Sequence, residues 1–179
     1  MRLAASLVCV TAFLLGGCVG SPPTFTPTVP EARARLAGTI GTVSASVDPT
    51  ANGAGDVRMI FGSDGIPGQW RSALASALDQ SRIFDKSPHV FDVTVTIYRM
   101  KPPDTGSTID TPAAARYQII DAKSRGVVFE TVVENIGHVG PSENFLGVVR
   151  IRDSIDRAVQ GNIKIFIERL VIVPSLSHQ

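Results

Sequence analysis

From Phe91 to Tyr98 the chain alternates without a break. Phe91, Val93, Val95 and Ile97 are apolar, and Asp92, Thr94, Thr96 and Tyr98 stand between them. Successive side chains of a strand point to opposite faces, so a period of two describes a strand buried on one side and wetter on the other. The rest of the chain must supply strands beside this one and a layer to cover its apolar face.

Lys101-Pro102-Pro103-Asp104-Thr105-Gly106 ends the run in a loop. Ala115, Tyr117 and Ile119, then Val127, Phe129, Thr131 and Val133, predict two further strands joined as a hairpin across 121–126, with Gly137 to Pro141 closing the sheet. Upstream, Thr39, Ile40, Thr42, Val43 and Val47 predict a strand within 35–47, weakened by Gly38 and Gly41. Residues 48–56 read as a loop. Val57, Met59 and Phe61 then form a short strand expected to pair with the preceding one as a hairpin.

Two segments have helical spacing. After a turn at 63–68, with Pro67 at a first helical position, Trp70, Ala73, Leu74, Ala77 and Leu78 share one face of a helix reaching about Arg82. Its alanines predict close approach to the sheet. The last helix is expected to start at an N-cap on Ser142, with Glu143 in its first turn, and to run to about Val171. Val148, Ile151, Ile155, Val159, Ile163, Phe166 and Leu170 mark its apolar side. Gly161-Asn162 in the middle costs about 1 kcal/mol against better helix formers and predicts a bend or weak point. The order of elements predicts an α+β two-layer sandwich: a mostly antiparallel sheet of four to five strands with two helices on one face. The domain spans 35–173, with 174–179 as a frayed tail after the stop at Pro174.

The amino terminus gives an address. Arg2 precedes an uncharged apolar run, Leu3 to Leu15, that is too short to span a bilayer and reads as a signal segment over 1–17. Leu15-Gly16-Gly17-Cys18 resembles the lipobox of bacterial lipoproteins. That resemblance implies a chain that begins at Cys18, acylated there, with the polypeptide outside the cytoplasm. Val19 in place of an aspartate implies an outer-membrane anchor and a domain facing the periplasm. Two or three acyl chains, at about 0.8 kcal/mol per buried methylene, hold a protein on a membrane almost permanently. Residues 18–34, with Ser21-Pro22-Pro23-Thr24 and Thr26-Pro27-Thr28-Val29-Pro30, read as a Pro/Thr-rich extended tether. Cys9 lies in the signal segment, so the domain has no disulfide, thiol nucleophile or cysteine ligand.

Chemistry is hard to place on this chain. With 17 basic and 16 acidic residues there is no general field to collect nucleic acid, which is excluded as a partner. His89, His138 and His178 lack metal-ligand spacing, and no serine sits in a G-x-S-x-G elbow. Gly62-Ser63-Asp64-Gly65 and Gly137-His138-Val139-Gly140 carry neither a P-loop lysine nor a dinucleotide fingerprint. No catalytic residue, metal or cofactor is assigned, and a non-enzyme is expected. Glu130 and Glu134 share one strand face, where Arg116 is an expected partner. One charged feature remains. Arg150, Arg152, Arg157 and Lys164 on the last helix are candidate contacts for lipopolysaccharide phosphates or an acidic partner; the plainer reading is a solvated face with pairs such as Asp153 to Arg157.

The lipobox, the tether, a helix ending in Leu78-Asp79-Gln80-Ser81-Arg82-Ile83-Phe84, the strand Phe91-Asp92-Val93-Thr94-Val95 and the long terminal helix together resemble small Gram-negative envelope lipoproteins. The similar groups are the LPS-assembly lipoprotein and the transport-auxiliary lipoproteins. The resemblance implies helices packed on a small sheet and a non-enzymatic accessory or structural subunit, serving a larger envelope complex in outer-membrane assembly or lipid and LPS transport. The alternative is a periplasmic lipid or small-molecule carrier, which needs an apolar pocket between helices and sheet.

Overall fold

The computed structural model of the chain describes residues 25–33, 35–53, 56–57 and 65–172. The signal segment, Cys18, Met59, Phe61, Pro174 and His178 lie outside the described residues. Strands β1 (Thr39–Val47), β2 (Val90–Met100), β3 (Ile109–Asp121) and β4 (Val127–Val139) form one sheet in that order. Helices α1 (Pro49–Gly53), α2 (Gly65–Ser81) and α3 (Gly147–Val171) complete the described elements. The predicted α+β class and the mostly antiparallel sheet are both seen, with α2 and α3 against the apolar side of the sheet.

The first strand pairs differently from expectation. β1 runs parallel to β2, with Val43 opposite Val93 and Val47 opposite Ile97. Parallel neighbours need a crossover rather than a tight turn, and the amphipathic α2 supplies it. Val57, expected to open the second arm of a hairpin with β1, instead bridges Met100 at the end of β2. The expected loop over 48–56 also holds a short helix. The Asp48 carboxylate accepts the N–H groups of Thr50 and Ala51 at 2.9 and 3.3 Å, and Pro49 occupies the first helical position. Asp-Pro is thus an N-cap and first-turn pair, an arrangement that satisfies orphan amides.

β2, β3 and β4 form an antiparallel meander in which Val95, Tyr117 and Thr131 lie in line, as do Ile97, Ala115 and Val133. β4 runs through Gly137 to Val139, so the expected closing turn is part of a strand. A Cβ on Gly137 would sit 2.0 Å from the Ser154 carbonyl oxygen and 2.5 Å from the Ala158 nitrogen. The residue is glycine because α3 lies directly on the strand at that point.

The layer between helices and sheet is filled by Trp70, Leu74, Tyr117, Ile163 and Phe166, all fully buried. Tyr117 stacks on Phe166, with ring centroids 4.3 Å apart. The Trp70 indole donates to the Tyr117 hydroxyl at 3.1 Å, and that hydroxyl donates to Asn162 Oδ1 at 2.8 Å. Asn162 Nδ2 donates to the Val133 carbonyl and to Asn135 Oδ1, and Asn135 Nδ2 donates to the Ala158 carbonyl at 2.9 Å. The chain of bonds offsets the cost of burying these amides and fixes the helix against the sheet. The predicted weak point at Gly161-Asn162 is therefore a lock: α3 continues through it, and a Cβ on Gly161 would stand 2.8 Å from Asn135 Nδ2.

The segment expected as a free tether packs on the domain from Phe25 onward. Phe25 is 3% exposed, Val29 is buried with it in the core, and the N–H groups of Ala32 and Leu36 donate to the Ser81 and Ile83 carbonyls at 2.7 Å. Burying a phenylalanine contributes about 2 kcal/mol.

Candidate interaction surface

α3 also begins later than its sequence suggests. Ser142 lies in a turn rather than at an N-cap; Leu146 holds the N-cap position without a side-chain hydrogen bond. The first fully buried residue of the helix is Ser154, whose hydroxyl is 2.6 Å from that of Thr111. The stretch Gly147–Asp153 therefore overhangs the core except at Ile151, which packs partly against it. Val148, expected to face inward, is exposed.

The loop from Gly140 to Leu146 is strapped in place by Arg150 of this overhang and by Arg157, just inside the buried part of the helix. Arg150 Nη1 donates to the Asn144 carbonyl at 2.8 Å, and Nη2 donates to the Gly106 carbonyl at 3.1 Å. Arg157 Nη1 donates to the His138 carbonyl at 2.7 Å, and its other arm donates to the Glu143 carboxylate. Glu143 accepts the Gly140 N–H at 2.8 Å as well. The Arg157 hydrogen bond first, then that of Gly140, holds the Glu143 carboxyl at about 2, and Arg157 is raised in turn by Glu143. His138 Nδ1 lies 2.7 Å from Asp110 Oδ1 beside this strap. The Leu146 N–H donates to Asn144 Oδ1. What the strap holds up is apolar: Phe145 is 95% exposed, Leu146 56% and Val148 58%.

The four basic residues singled out in the sequence do not gather into one patch. Arg150 and Arg157 belong to the strap, where backbone carbonyls and Glu143 take their donors. Arg152 lies 3.5 Å from Asp153, so the expected Asp153 to Arg157 pair is replaced by Arg152–Asp153 and Glu143–Arg157. Lys164 is about 21 Å along the helix axis from Arg150 at 1.5 Å per residue. There it borders a groove of about 520 Å³ lined mainly by Val29, Pro30, Ile167 and Val171.

Phe145 and Leu146 were missed as surface residues, although the sequence does carry a signal. Phe145-Leu146-Gly147-Val148 is an apolar run across the start of the helix, and its first two members precede the helical residues. Rigidly held, exposed aromatic and aliphatic side chains are the usual anchors of protein contacts, since little entropy remains to be lost when they dock.

On the far side of the sheet, Ser44, Ser46, Thr94, Thr96 and Gln118 leave a polar face. Arg116 crosses it above the Tyr98 ring at 5.2 Å and lies 3.8 Å from Glu130; Glu134 is not part of that pair. His89 Nε2 contacts Asp121, whose carboxyl is held below its ordinary value chiefly by the Ser124 N–H. Among the described residues no group of three or more His, Cys, Asp or Glu gathers as for a metal ion, and no helix is long and apolar enough to cross a membrane.

These features define an α+β two-layer protein. The fold is similar to that of a Xanthomonas campestris protein of the DUF330 family, at 13% identity over 82% of this chain and 94% of that one, with a TM-score of 0.55. A hypothetical protein of Chlamydia trachomatis matches at 8% identity over 77% of this chain and 96% of that one, with a TM-score of 0.50. A minor lipoprotein of Acinetobacter baumannii is a more remote likeness, at 6% identity, 73% and 91% coverage and a TM-score of 0.41. No family model matches the sequence, and no curated protein sequence is significantly similar to it.

Proposed function

We propose that this chain is a non-enzymatic envelope lipoprotein, anchored in the outer membrane through Cys18 with its domain in the periplasm, acting as an accessory subunit of an assembly or lipid-transport complex. The observation that carries this reading is the strapped apolar projection of Phe145, Leu146 and Val148. A membrane-anchored carrier has no use for an exposed phenylalanine fixed by two arginines; a subunit that must find a partner does. The projection stands at the amino end of α3, whose 25 residues extend about 37 Å. Val29, on the anchor side of the chain, packs near the carboxyl end of the same helix. The projection therefore points away from the place where the anchor segment joins the domain.

The test is photo-crosslinking in cells from a benzoylphenylalanine placed at position 145 of the full-length protein, followed by mass spectrometry. One dominant envelope protein is expected, reduced in Cys18→Ala. An identical product pattern from a probe at Arg71, on the exposed side of α2, overturns the reading. The carrier alternative needs an apolar pocket between helices and sheet, and that layer is filled; what is left to it is the apolar groove beside Val29 and Val171. Native mass spectrometry of gently purified protein would then reveal a co-purifying lipid, and a groove-filling Val171→Trp would expel it.

A further inference from the structure

Apolar side chains are exposed at both ends of α3. Phe145, Leu146 and Val148 stand at its amino end; at its carboxyl end Ile172 is 76% exposed, beside Val171 and the exposed Pro30 on the groove of about 520 Å³. About 35 Å of helix separates Val148 from Val171 at 1.5 Å per residue. The two ends differ in their distance from Cys18.

Phe25 is buried in the core, and the Ala32 and Leu36 N–H groups are bonded to the Ser81 and Ile83 carbonyls. Glu31 adds ion pairs to Arg35 and Arg82 at 3.0 and 3.6 Å. The chain is therefore fixed to the domain from Phe25 onward, and only residues 19–24 lie between Phe25 and Cys18. Seven steps between α-carbons reach about 25 Å at most, and the four steps from Phe25 to Val29 add about 14 Å at most. With acyl chains on Cys18, the bilayer surface cannot move far from the groove that Val29 lines. A surface held by so short a link acts at an effective concentration in about the millimolar range, so a small apolar contact is enough to fix an orientation.

The composition of this end suits a lipid interface. Val171, Ile172 and Pro30 are apolar, and Arg33 and Lys164 border the same groove on long stems that reach back to phosphates. Glu168 offsets one of these charges, and Glu31 already serves Arg35 and Arg82. The rim is close to neutral, so apolar contact rather than charge sets the attraction.

We propose that the carboxyl end of α3, with Val171, Ile172 and Pro30, rests on the bilayer that holds the Cys18 anchor. This contact rests on the lipoprotein reading above, because without acyl chains nothing brings a bilayer close. It sets α3 upright and directs Phe145 away from the membrane.

The experiment uses the acylated full mature protein in vesicles of phosphatidylethanolamine and phosphatidylglycerol, with a nitroxide on Ile172→Cys, Pro30→Cys or Val148→Cys. Cys18 is held in its thioether, so the introduced cysteine carries the only reactive thiol. Intact mass establishes the acylation, and power saturation compares collisions with oxygen, which concentrates in hydrocarbon, and with a water-soluble nickel chelate. Expected are oxygen collisions several-fold above nickel at 172 and 30, the reverse at 148, and little change in high salt. Nickel access at 172 and 30 equal to that at 148, on protein of confirmed acylation, overturns this proposal and leaves the lipoprotein reading standing. A mature chain without acyl mass overturns both. Exclusion of both reagents at 172 also overturns the proposal: dipolar broadening that fades on dilution with unlabelled protein makes the occupant a second copy, and its absence makes it residues 173–179 of the same chain.

Discussion

The two parts of α3 have opposite relations to the domain. From Ser154 to Leu170 the helix is fastened: Gly137 lets strand backbone meet helix backbone, Gly161 makes room for the Asn135 amide, and Asn162 is bonded on three sides to Tyr117, Asn135 and the Val133 carbonyl. From Gly147 to Asp153 it has no fully buried residue, and Arg150 reaches sideways from it, joined by Arg157 from the fastened part, to hold a loop that carries an exposed phenylalanine. One segment of continuous helix therefore does two jobs. Its fastened part supplies stability that its overhanging part uses to present an apolar surface without collapsing onto it.

That contrast can be broken most severely at Gly137. A valine there drives its Cβ into the Ser154 carbonyl, and overpacking against backbone costs about 3 kcal/mol or more, so thermal unfolding should shift down sharply or the protein fail to accumulate. Asn162→Leu comes next. It leaves the Tyr117 hydroxyl without its acceptor, at a cost of about 2 kcal/mol, and adding Tyr117→Phe should recover part of that loss in a double-mutant cycle of urea unfolding.

The strap answers to pH rather than to packing. Because the folded-state Glu143 carboxyl is held at about 2, below its ordinary 4.5, its contribution is fully present above pH 4.5 and disappears as pH falls toward 2. Amide exchange in the 140–146 loop should accelerate on that acid side, and Glu143→Gln should show the fast loop at neutral pH as well; a loop equally slow in the variant would disprove the strap. The smallest expected effect on stability is at the tip. Phe145→Ser should leave the unfolding midpoint within about 0.5 kcal/mol of the parent while removing the position-dependent crosslink, which separates surface presentation from folding.

Where neighbours in sequence are also neighbours in space, the chain is readable. The alternation at Phe91 to Tyr98 places β2, the hairpin across 121–126 is present, and five of the apolar residues predicted for α2 are buried. Errors arise where a distant partner changes the meaning of a residue. Gly161-Asn162 looks weak until Asn135 is brought beside it, and Gly137 looks like a turn until Ala158 lies on it. β1 looks like half of a hairpin because composition does not distinguish a parallel neighbour from an antiparallel one. Thr26-Pro27-Thr28-Val29-Pro30 has the composition of a linker, yet Phe25 and Val29 find apolar ground on the domain. The overhang was illegible for a similar reason: Val148 shares the phase of Ile151 and Ile155, and only the contact of Gly137, near the end of β4, with Ser154 and Ala158 shows where the helix leaves the sheet.

The parallel placement of β1 has a kinetic consequence. β2, β3 and β4 pair through short local connections, whereas β1 meets β2 between residues about fifty positions apart, so closing that contact carries the larger loop entropy. The meander with α3 is the natural folding nucleus, and β1 joins after the rate-limiting step. Val43→Ala should then speed unfolding and leave the folding rate almost unchanged, whereas Val133→Ala should slow folding; equal effects on folding would reverse the order. Until β1 arrives, the edge of β2 that it covers is bare, and it is then that a newly made chain most needs protection from pairing with its neighbours.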